Sequence, residues 1–156
     1  MNNSEKKSLS SACILVIGNE ILSGRTEDKN INFIAKRCDE IGVSIDEVRI
    51  IPDDIKIIKD TVLFCHKNFD YVFTTGGIGP THDDITTECI GSVFNLEVEV
   101  NKEALKRLKA HYNKLKVELN ESRIKMAKIP KGAELIDNPV SSAPGFIVEN
   151  VFVLPG

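Results

Sequence analysis

Residues 71–86 read YVFTTGGIGPTHDDIT, in which a short apolar run passes directly into three closely spaced glycines and an acidic pair. The run from Asp70 to Thr75 has the length and the β-branched and aromatic content of a buried strand. Asp83 or Asp84 can cap a following helix whose inward residues are Ile85, Cys89, Ile90 and Val93. The segment therefore predicts a strand, a glycine turn and a helix in succession.

The same unit occurs twice before this segment. Ala12 to Ile17 is a continuous apolar run, and the residues after Asp28 place apolar side chains at steps of three and four up to Gly42. Val43 to Ile51 is rich in β-branched residues and is followed by a turn and a second helix. Three strand-helix units in succession predict an α/β fold, a three-layer α/β/α sandwich around a mostly parallel sheet.

The last third of the chain has a different pattern. Leucines and a tyrosine between Leu105 and Leu119 follow helical spacing, which predicts one long helix or a broken pair of helices. Packing on the sheet is favoured over an interface with a partner helix. Three short apolar runs, at residues 134–136, 146–148 and 151–154, predict a small carboxyl-terminal β meander. We expect residues 1–11 to be a flexible lead and residues 12–156 to be one domain. A helix is expected after the last strand, so a truncated carboxyl end is one interpretation of the stop at Gly156.

Composition limits the class of protein. With 156 residues and 42% hydrophobic residues, the chain has the size of one domain with one core. Its longest apolar run, Ala12 to Ile17, is far shorter than the roughly 18 residues that a membrane span needs, and its first residues are polar. We therefore expect a cytoplasmic protein that does not contact a membrane.

Residues 102–131 hold ten basic and three acidic residues. A solvated helix face is favoured there over nucleic-acid binding.

The four cysteines are far apart in sequence, and none lies in a CxxC pair. We expect small buried apolar side chains in a reducing compartment, and no zinc, haem or flavin.

Ligands of open parallel sheets collect at the carboxyl ends of the strands. There the glycine turn, Gly76, Gly77 and Gly79, can present backbone N–H groups to an anion, and Thr75, Pro80 and Thr81 complete it. The turn matches neither GxGxxG nor GxxxxGK[ST], so neither a dinucleotide fold nor a P-loop is supported. Glycine can also serve a tight turn for steric reasons alone.

The acidic residues beside the turn favour a metal site. Asp83 and Asp84 next to phosphate are understandable if they bind Mg²⁺ or another divalent ion, which takes carboxylates together with phosphate oxygens. Helix capping is the alternative for one of the pair, and Asp53 and Asp54 present the same choice. His82 is either an acid or base, or simply exposed.

Three groups of residues resemble the MoaB/Mog molybdopterin-binding domain family, and within it the amino-terminal domain of the CinA group. They are residues 17–24 (IGNEILSG), residues 74–86 (TTGGIGPTHDDIT), and the Asn138-Pro139, Ala143-Pro144-Gly145 and Leu154-Pro155-Gly156 turns. The resemblance extends from about Ala12 to Gly156. It implies the same three-layer sandwich.

The resemblance also implies roles for individual residues. Asp84 and Asp53 would be the catalytic carboxylates near metal and phosphate, and the three glycines would hold the phosphate. The residues lining the pocket would be Glu20, Ser23, Gly24, Ser142 and Ala143.

Family members suggest three functions. Some adenylylate molybdopterin with ATP and Mg²⁺, and CinA-like members are linked to cleavage of pyrophosphates such as ADP-ribose. A basic residue usually occupies the position of His82 or Asp83 in the adenylylating relatives, which favours hydrolysis here. The third possibility is a non-catalytic oligomeric binding module. We expect a phosphorylated pterin or nucleotide as ligand and a homo-oligomer, a trimer or a dimer.

Overall fold

The structure, a computed structural model, describes residues 9–156, and their strands and helices follow the expected alternation. The strands are β1 (Ser10–Ile17), β2 (Val43–Ile51), β3 (Tyr71–Thr75), β4 (Val98–Val100), β5 (Lys128–Pro130), β6 (Glu134–Ile136), β7 (Gly145–Val148) and β8 (Val151–Leu154). The helices are α1 (Asn19–Leu22), α2 (Asn30–Glu40), α3 (Ile55–Asn68), α4 (Thr86–Val93), α5 (Lys102–Leu115) and α6 (Glu121–Ile124), with a 3₁₀ turn at Lys125–Ala127.

Six strands form one sheet in the order β2-β1-β3-β8-β7-β6. The pairings β1–β2, β1–β3 and β3–β8 are parallel, whereas β7–β8 and β6–β7 are antiparallel. The predicted α/β fold with a mostly parallel sheet is therefore confirmed. The carboxyl-terminal meander is also confirmed, and it extends the main sheet because β8 lies beside β3.

Side chains on the two faces of the sheet belong to two separate core clusters. On one face Leu15, Val72, Val153 and Phe146 pack with α3, α4 and α5 in the larger cluster. The other face has a smaller cluster of Ile14, Val16, Ile34 and Cys38, two of which come from α2. Strands buried on both faces must be apolar throughout, which explains the continuous run in β1.

The leucine repeat belongs largely to the larger core. Leu108 is fully buried, and Leu105, Tyr112 and Leu119 pack against the same cluster, while Leu115 is 55% exposed. Asn101 caps α5 by accepting a hydrogen bond from the Ala104 N–H at 2.9 Å. The repeat therefore packs into the core that it shares with the sheet, although α5 ends at Leu115 and Leu119 lies beyond it.

Two local features differ from what the sequence led us to expect. The lead does not extend to residue 11, because β1 already begins at Ser10 and the Ser11 N–H donates to Asp70 at 2.8 Å; residues 1–8 lie outside the described part of the chain. The pairing of β4 with β5 was not predicted, and it joins two three-residue strands from distant parts of the sequence. Within residues 9–156, no helix combines the length and apolar character that a membrane crossing requires.

Candidate functional site

The topology brings the candidate segments to one edge of the sheet. Strands β1, β2, β3 and β8 all end there because they are parallel, and β7 begins there because it runs in the opposite direction. The loops at this edge are therefore residues 18–29, 52–54, 76–85, 137–144 and 155–156. Every residue selected for the site from the sequence lies in one of these loops or at its border.

The glycines of the turn are required first by the backbone. Gly76 and Gly77 have positive φ angles of 91° and 72°. A Cβ at Gly76 would overlap the Ile17 carbonyl oxygen, and one at Gly77 would overlap the Thr86 hydroxyl. At Gly79 a Cβ would lie 2.8 Å from a carboxylate oxygen of Asp84. These positions exclude side chains because the protein itself occupies the space, so the steric explanation of the glycines holds.

The turn nevertheless presents free donors. Within residues 9–156 the N–H groups of Gly77, Ile78 and Gly79 donate to no protein acceptor, whereas the Gly76 N–H donates to the Leu154 carbonyl at 3.3 Å. Three consecutive backbone donors without a protein partner form the kind of site that binds phosphate or another anion.

Thr86, the first residue of α4, holds this turn in place through two hydrogen bonds. The Thr86 N–H donates to the Gly77 carbonyl at 2.9 Å, and the Thr86 hydroxyl donates to the Gly76 carbonyl at 3.1 Å. Both carbonyls thus point toward the helix. The following N–H groups are left to face away from it.

Asp84 closes the turn and does not cap α4. One of its carboxylate oxygens accepts from the Thr81 N–H at 2.8 Å and from the Thr81 hydroxyl at 2.7 Å. The residue that precedes α4 is Ile85, without a side-chain cap. The expectation that Asp83 or Asp84 caps this helix was wrong, because the Asp84 carboxylate accepts from Thr81 instead. Asp83 pairs with His82 at 3.1 Å, and both side chains are largely exposed.

Asp53 and Asp54, the second acidic pair, have different roles. Asp54 caps α3 by accepting from the Ile57 N–H at 2.9 Å, as expected for one of the pair. Asp53 accepts from the Asn19 N–H at 2.9 Å, so it ties the loop after β2 to the loop after β1. Its other carboxylate oxygen has no partner within residues 9–156.

Glu20 lines a cavity of about 280 Å³ at the ends of β1 and β3, together with Thr75 and Gly76. Ser23 does not line it, since its hydroxyl donates to the Glu20 carbonyl at 3.3 Å and accepts from Arg25 at 3.0 Å. Gly24 serves the same turn with a positive φ of 72°.

The loop that carries Ser142 and Ala143 borders a different cavity, of about 260 Å³, which Ser142 lines with Arg107 and Asp137. Asn138 organises this loop: its side-chain amide donates to the Ser141 hydroxyl at 2.8 Å and to the Ala143 carbonyl at 3.0 Å. Glu20 and Ser142 thus belong to two cavities at the same edge.

The acidic residues of the turn, Asp83 and Asp84, offer carboxylate oxygens to a metal ion. Within the described residues, no group of three or more His, Cys, Asp or Glu side chains could together hold a metal ion. Asp83 and Asp84 each keep one carboxylate oxygen without a partner in that part of the chain. Such a donor set fits Mg²⁺, which commonly takes one or two carboxylates and completes its shell with phosphate oxygens and water.

Sequence reasoning missed Lys125. Its ammonium group donates to the Thr81 carbonyl at 2.6 Å and to the Asp84 carbonyl at 2.5 Å. A lysine in a segment rich in basic residues gives no signal of such a contact with a turn more than forty residues away. Asn138 was recognised only as part of a turn.

Comparisons with known proteins place the chain in a family. Residues 13–156 match the family described as "probable molybdopterin binding domain". A protein from Caldivirga maquilingensis is 39% identical over 149 residues, which cover 93% of this chain and 58% of that protein. A CinA-like protein from Sulfurihydrogenibium sp. is 40% identical over 136 residues, which cover 87% of this chain and 34% of that protein. The chain thus spans between about a third and about three fifths of these relatives.

Solved structures agree with this assignment. The crystal structure of CinA from Thermoplasma acidophilum, a protein with unknown function, superposes with a TM-score of 0.83 at 33% identity, over 94% of this chain and 88% of that one. MoaB from Pyrococcus furiosus, a tungsten cofactor synthesizing protein, gives 0.58 at 22% identity, over 96% and 83% of the two chains, which shows the fold alone. The chain therefore belongs to the MoaB/Mog molybdopterin-binding domain family and is similar to its CinA-like members.

Proposed function

We propose that this domain binds a phosphorylated pterin or nucleotide and hydrolyses a phosphoanhydride bond with the help of a divalent metal, with ADP-ribose as the representative substrate. The observation that carries the proposal is the row of N–H groups at Gly77, Ile78 and Gly79, which have no acceptor among residues 9–156 and precede the acidic residues 83–84 and α4 in the same loop.

The free N–H groups would donate to the phosphate. Charge on the phosphate oxygens increases as the bond to the bridging oxygen breaks, and donors that are already fixed in place stabilise that charge most. The Thr86 bonds hold Gly76 and Gly77 in position before the ligand arrives, so little reorganisation is needed.

The free oxygens of Asp83 and Asp84 would hold the divalent metal, with Asp53 as a further carboxylate at the same edge. A bound metal neutralises phosphate charge and lowers the pKa of bound water. Without a metal, the carboxylates would repel a phosphate at the glycine turn, so binding of ADP-ribose at the turn should depend on the metal.

Hydrolysis adds one water molecule across the P–O–P bridge of ADP-ribose. A water oxygen forms a bond to one phosphorus, the bond from that phosphorus to the bridging oxygen breaks, and the products are AMP and ribose 5-phosphate. The protons released are taken up by solvent.

The test measures AMP release from ADP-ribose, ATP and FAD with Mg²⁺, Mn²⁺ or Co²⁺. We expect turnover of ADP-ribose with at least one metal and none in the presence of a chelator. If no substrate is turned over and Asp84→Asn binds ADP-ribose like the parent, the enzymatic proposal is wrong.

Adenylyl transfer to molybdopterin is the second candidate, because the matched family is described as molybdopterin binding. Transfer uses the same phosphate turn, so the acceptor distinguishes the two reactions. Incubation with ATP, Mg²⁺ and molybdopterin would yield adenylylated molybdopterin and pyrophosphate if transfer is the activity. Tight binding of either ligand without turnover would instead support a non-catalytic module.

Two further expectations remain proposals. A homo-oligomer, a trimer or a dimer, is proposed from the family resemblance, and sedimentation analysis would measure it. A cytoplasmic location is proposed because all four cysteines are buried free thiols, as in proteins of reducing compartments.

A further inference from the structure

A groove of about 350 Å³ lies beside the glycine turn, outside the two cavities at the strand ends. Its lining residues come from α3 (Ile55 and Lys59), from α4 (Glu88, Cys89 and Ser92), from the loop before α4 (His82 and Ile85), and from Lys125. Its volume is that of a site for a small molecule. Ile55 and Ile85 each follow directly after one of the two acidic pairs, so the groove connects the segments that hold Asp53 and Asp84.

The groove carries an excess of positive charge, with two lysines and one glutamate among its lining residues. Lys59 and Lys125 are both half-buried, and neither has a carboxylate within salt-bridge distance among residues 9–156. Glu88 is the one carboxylate among the lining residues, and it makes no ion pair in that part of the chain. A half-buried ammonium group loses hydration without gaining a counter-ion, and an anion bound in the groove would compensate it.

Lys125 connects the groove to the phosphate turn. Two of its three ammonium protons are donated to the Thr81 and Asp84 carbonyls. The third donor is left for a ligand. An anion at Lys125 would therefore lie next to the turn whose N–H groups are free.

The groove also has an apolar floor. The floor consists of half-buried Ile85 and buried Cys89, while Ile55, which is 61% exposed, lies at the rim. An apolar floor below two ammonium groups suits a phosphate that carries an organic group better than a free inorganic ion.

We propose that this groove is a second phosphate subsite, which binds the phosphorylated group on the far side of the scissile bond through Lys59 and Lys125. When ADP-ribose is the substrate, that group is ribose 5-phosphate. The assignment rests on the proposed phosphoanhydride chemistry for the identity of the ligand. For the site itself it rests on Lys59 and Lys125, which have no carboxylate partner among residues 9–156.

The test is an NMR titration of the ¹⁵N-labelled chain with ribose 5-phosphate, without metal. We expect the amide signals of residues 85–92 to shift on binding. Lys59→Gln should weaken binding about tenfold, the loss expected for one charge-assisted hydrogen bond. Lys59→Arg should retain most of the affinity.

Lys56→Gln is the matched control. Lys56 lies on the same helix and carries the same charge, but it is exposed, pairs with Asp60 and does not line the groove. It should bind ribose 5-phosphate within about twofold of the parent, since no contact to the ligand is lost. Equal loss in Lys56→Gln and Lys59→Gln would overturn the subsite, because only the overall charge would then matter. No binding by the parent at millimolar concentrations would overturn it as well.

The result can be separated from the test of hydrolysis. A chain that releases no AMP but binds ribose 5-phosphate through Lys59 supports the subsite and contradicts the proposed reaction. A chain that hydrolyses ADP-ribose with the same KM in the parent and in Lys59→Gln contradicts the subsite and supports the reaction.

Lys125→Arg, which keeps the charge, should retain more affinity for ribose 5-phosphate than Lys125→Gln when both variants have the thermal midpoint of the parent.

Discussion

The carboxylate of Asp84 accepts two hydrogen bonds from Thr81 through the same oxygen, one from the N–H at 2.8 Å and one from the hydroxyl at 2.7 Å. The second oxygen of that carboxylate is without a partner in the described part of the chain. One oxygen of Asp84 therefore shapes the turn, and the other remains for a metal or a ligand.

Thr81→Val should weaken this arrangement without changing the volume of the side chain greatly. The Asp84 oxygen keeps the backbone donor but loses the hydroxyl donor, at a cost of about 1 kcal/mol at this exposed position. Urea denaturation of Thr81→Val and of the control Thr81→Ser would measure it. Equal stability of the two variants would show that the hydroxyl bond contributes nothing.

Gly77→Ala should destabilise the chain more than Gly24→Ala does. Both glycines have a φ of 72°, so the backbone strain of an alanine is matched, at about 1 kcal/mol. Only at Gly77 would the added Cβ overlap the Thr86 hydroxyl, whereas at Gly24 it would have no close neighbour within 4 Å among residues 9–156. The free energies of unfolding from urea titration give the difference. Equal losses would contradict the close approach of the Thr86 hydroxyl to Gly77.

Leu108→Ala should cost about 2–5 kcal/mol, because it leaves a cavity in the larger core. The control is Leu115→Ala on the same helix, whose side chain is 55% exposed and whose loss should cost about 0.5 kcal/mol or less. Thermal and urea unfolding measure both. A large loss at Leu115, or a change in oligomer size on its replacement, would favour the partner-helix interpretation of the leucine repeat.

The four thiols should react slowly in the folded chain, since all four are buried. Burial raises the pKa of the Cys89 thiol to about 11, and the charge of Glu88 acts in the same direction. The thiolate is the reactive form, so the reactivity of Cys89 should remain low near neutral pH and rise as the pH approaches this raised pKa. Titration with a chromogenic disulfide should detect four thiols in urea and almost none without it. Rapid reaction in the native state would contradict the buried positions.

The parts of the fold that were predictable are those with a local signal. The run from Ala12 to Ile17 is apolar throughout because both faces of β1 are covered, and such a run can be recognised without a structure. The cap at Asn101 is likewise a matter of one side chain and the next turn of helix.

The parts that were missed depend on contacts between distant residues. Strands β4 and β5 have three residues each, too few for a periodic pattern, and they form only because residues 98 and 130 meet. Asp84 has the sequence environment of a helix cap, but two Thr81 donors compete for it. Lys125 reaches the turn because it follows α6 at a point where the chain passes residues 81–84, which no local pattern indicates.

The most direct test of the central claim compares AMP release from ADP-ribose by the parent chain and by Asp84→Asn at saturating Mg²⁺. The amide keeps the shape and one acceptor for Thr81 but lacks the negative charge that would hold the metal. We expect the parent to release AMP and Asp84→Asn to do so at least about a hundredfold more slowly, with an unchanged thermal midpoint. Equal rates of release in the two proteins would contradict the account.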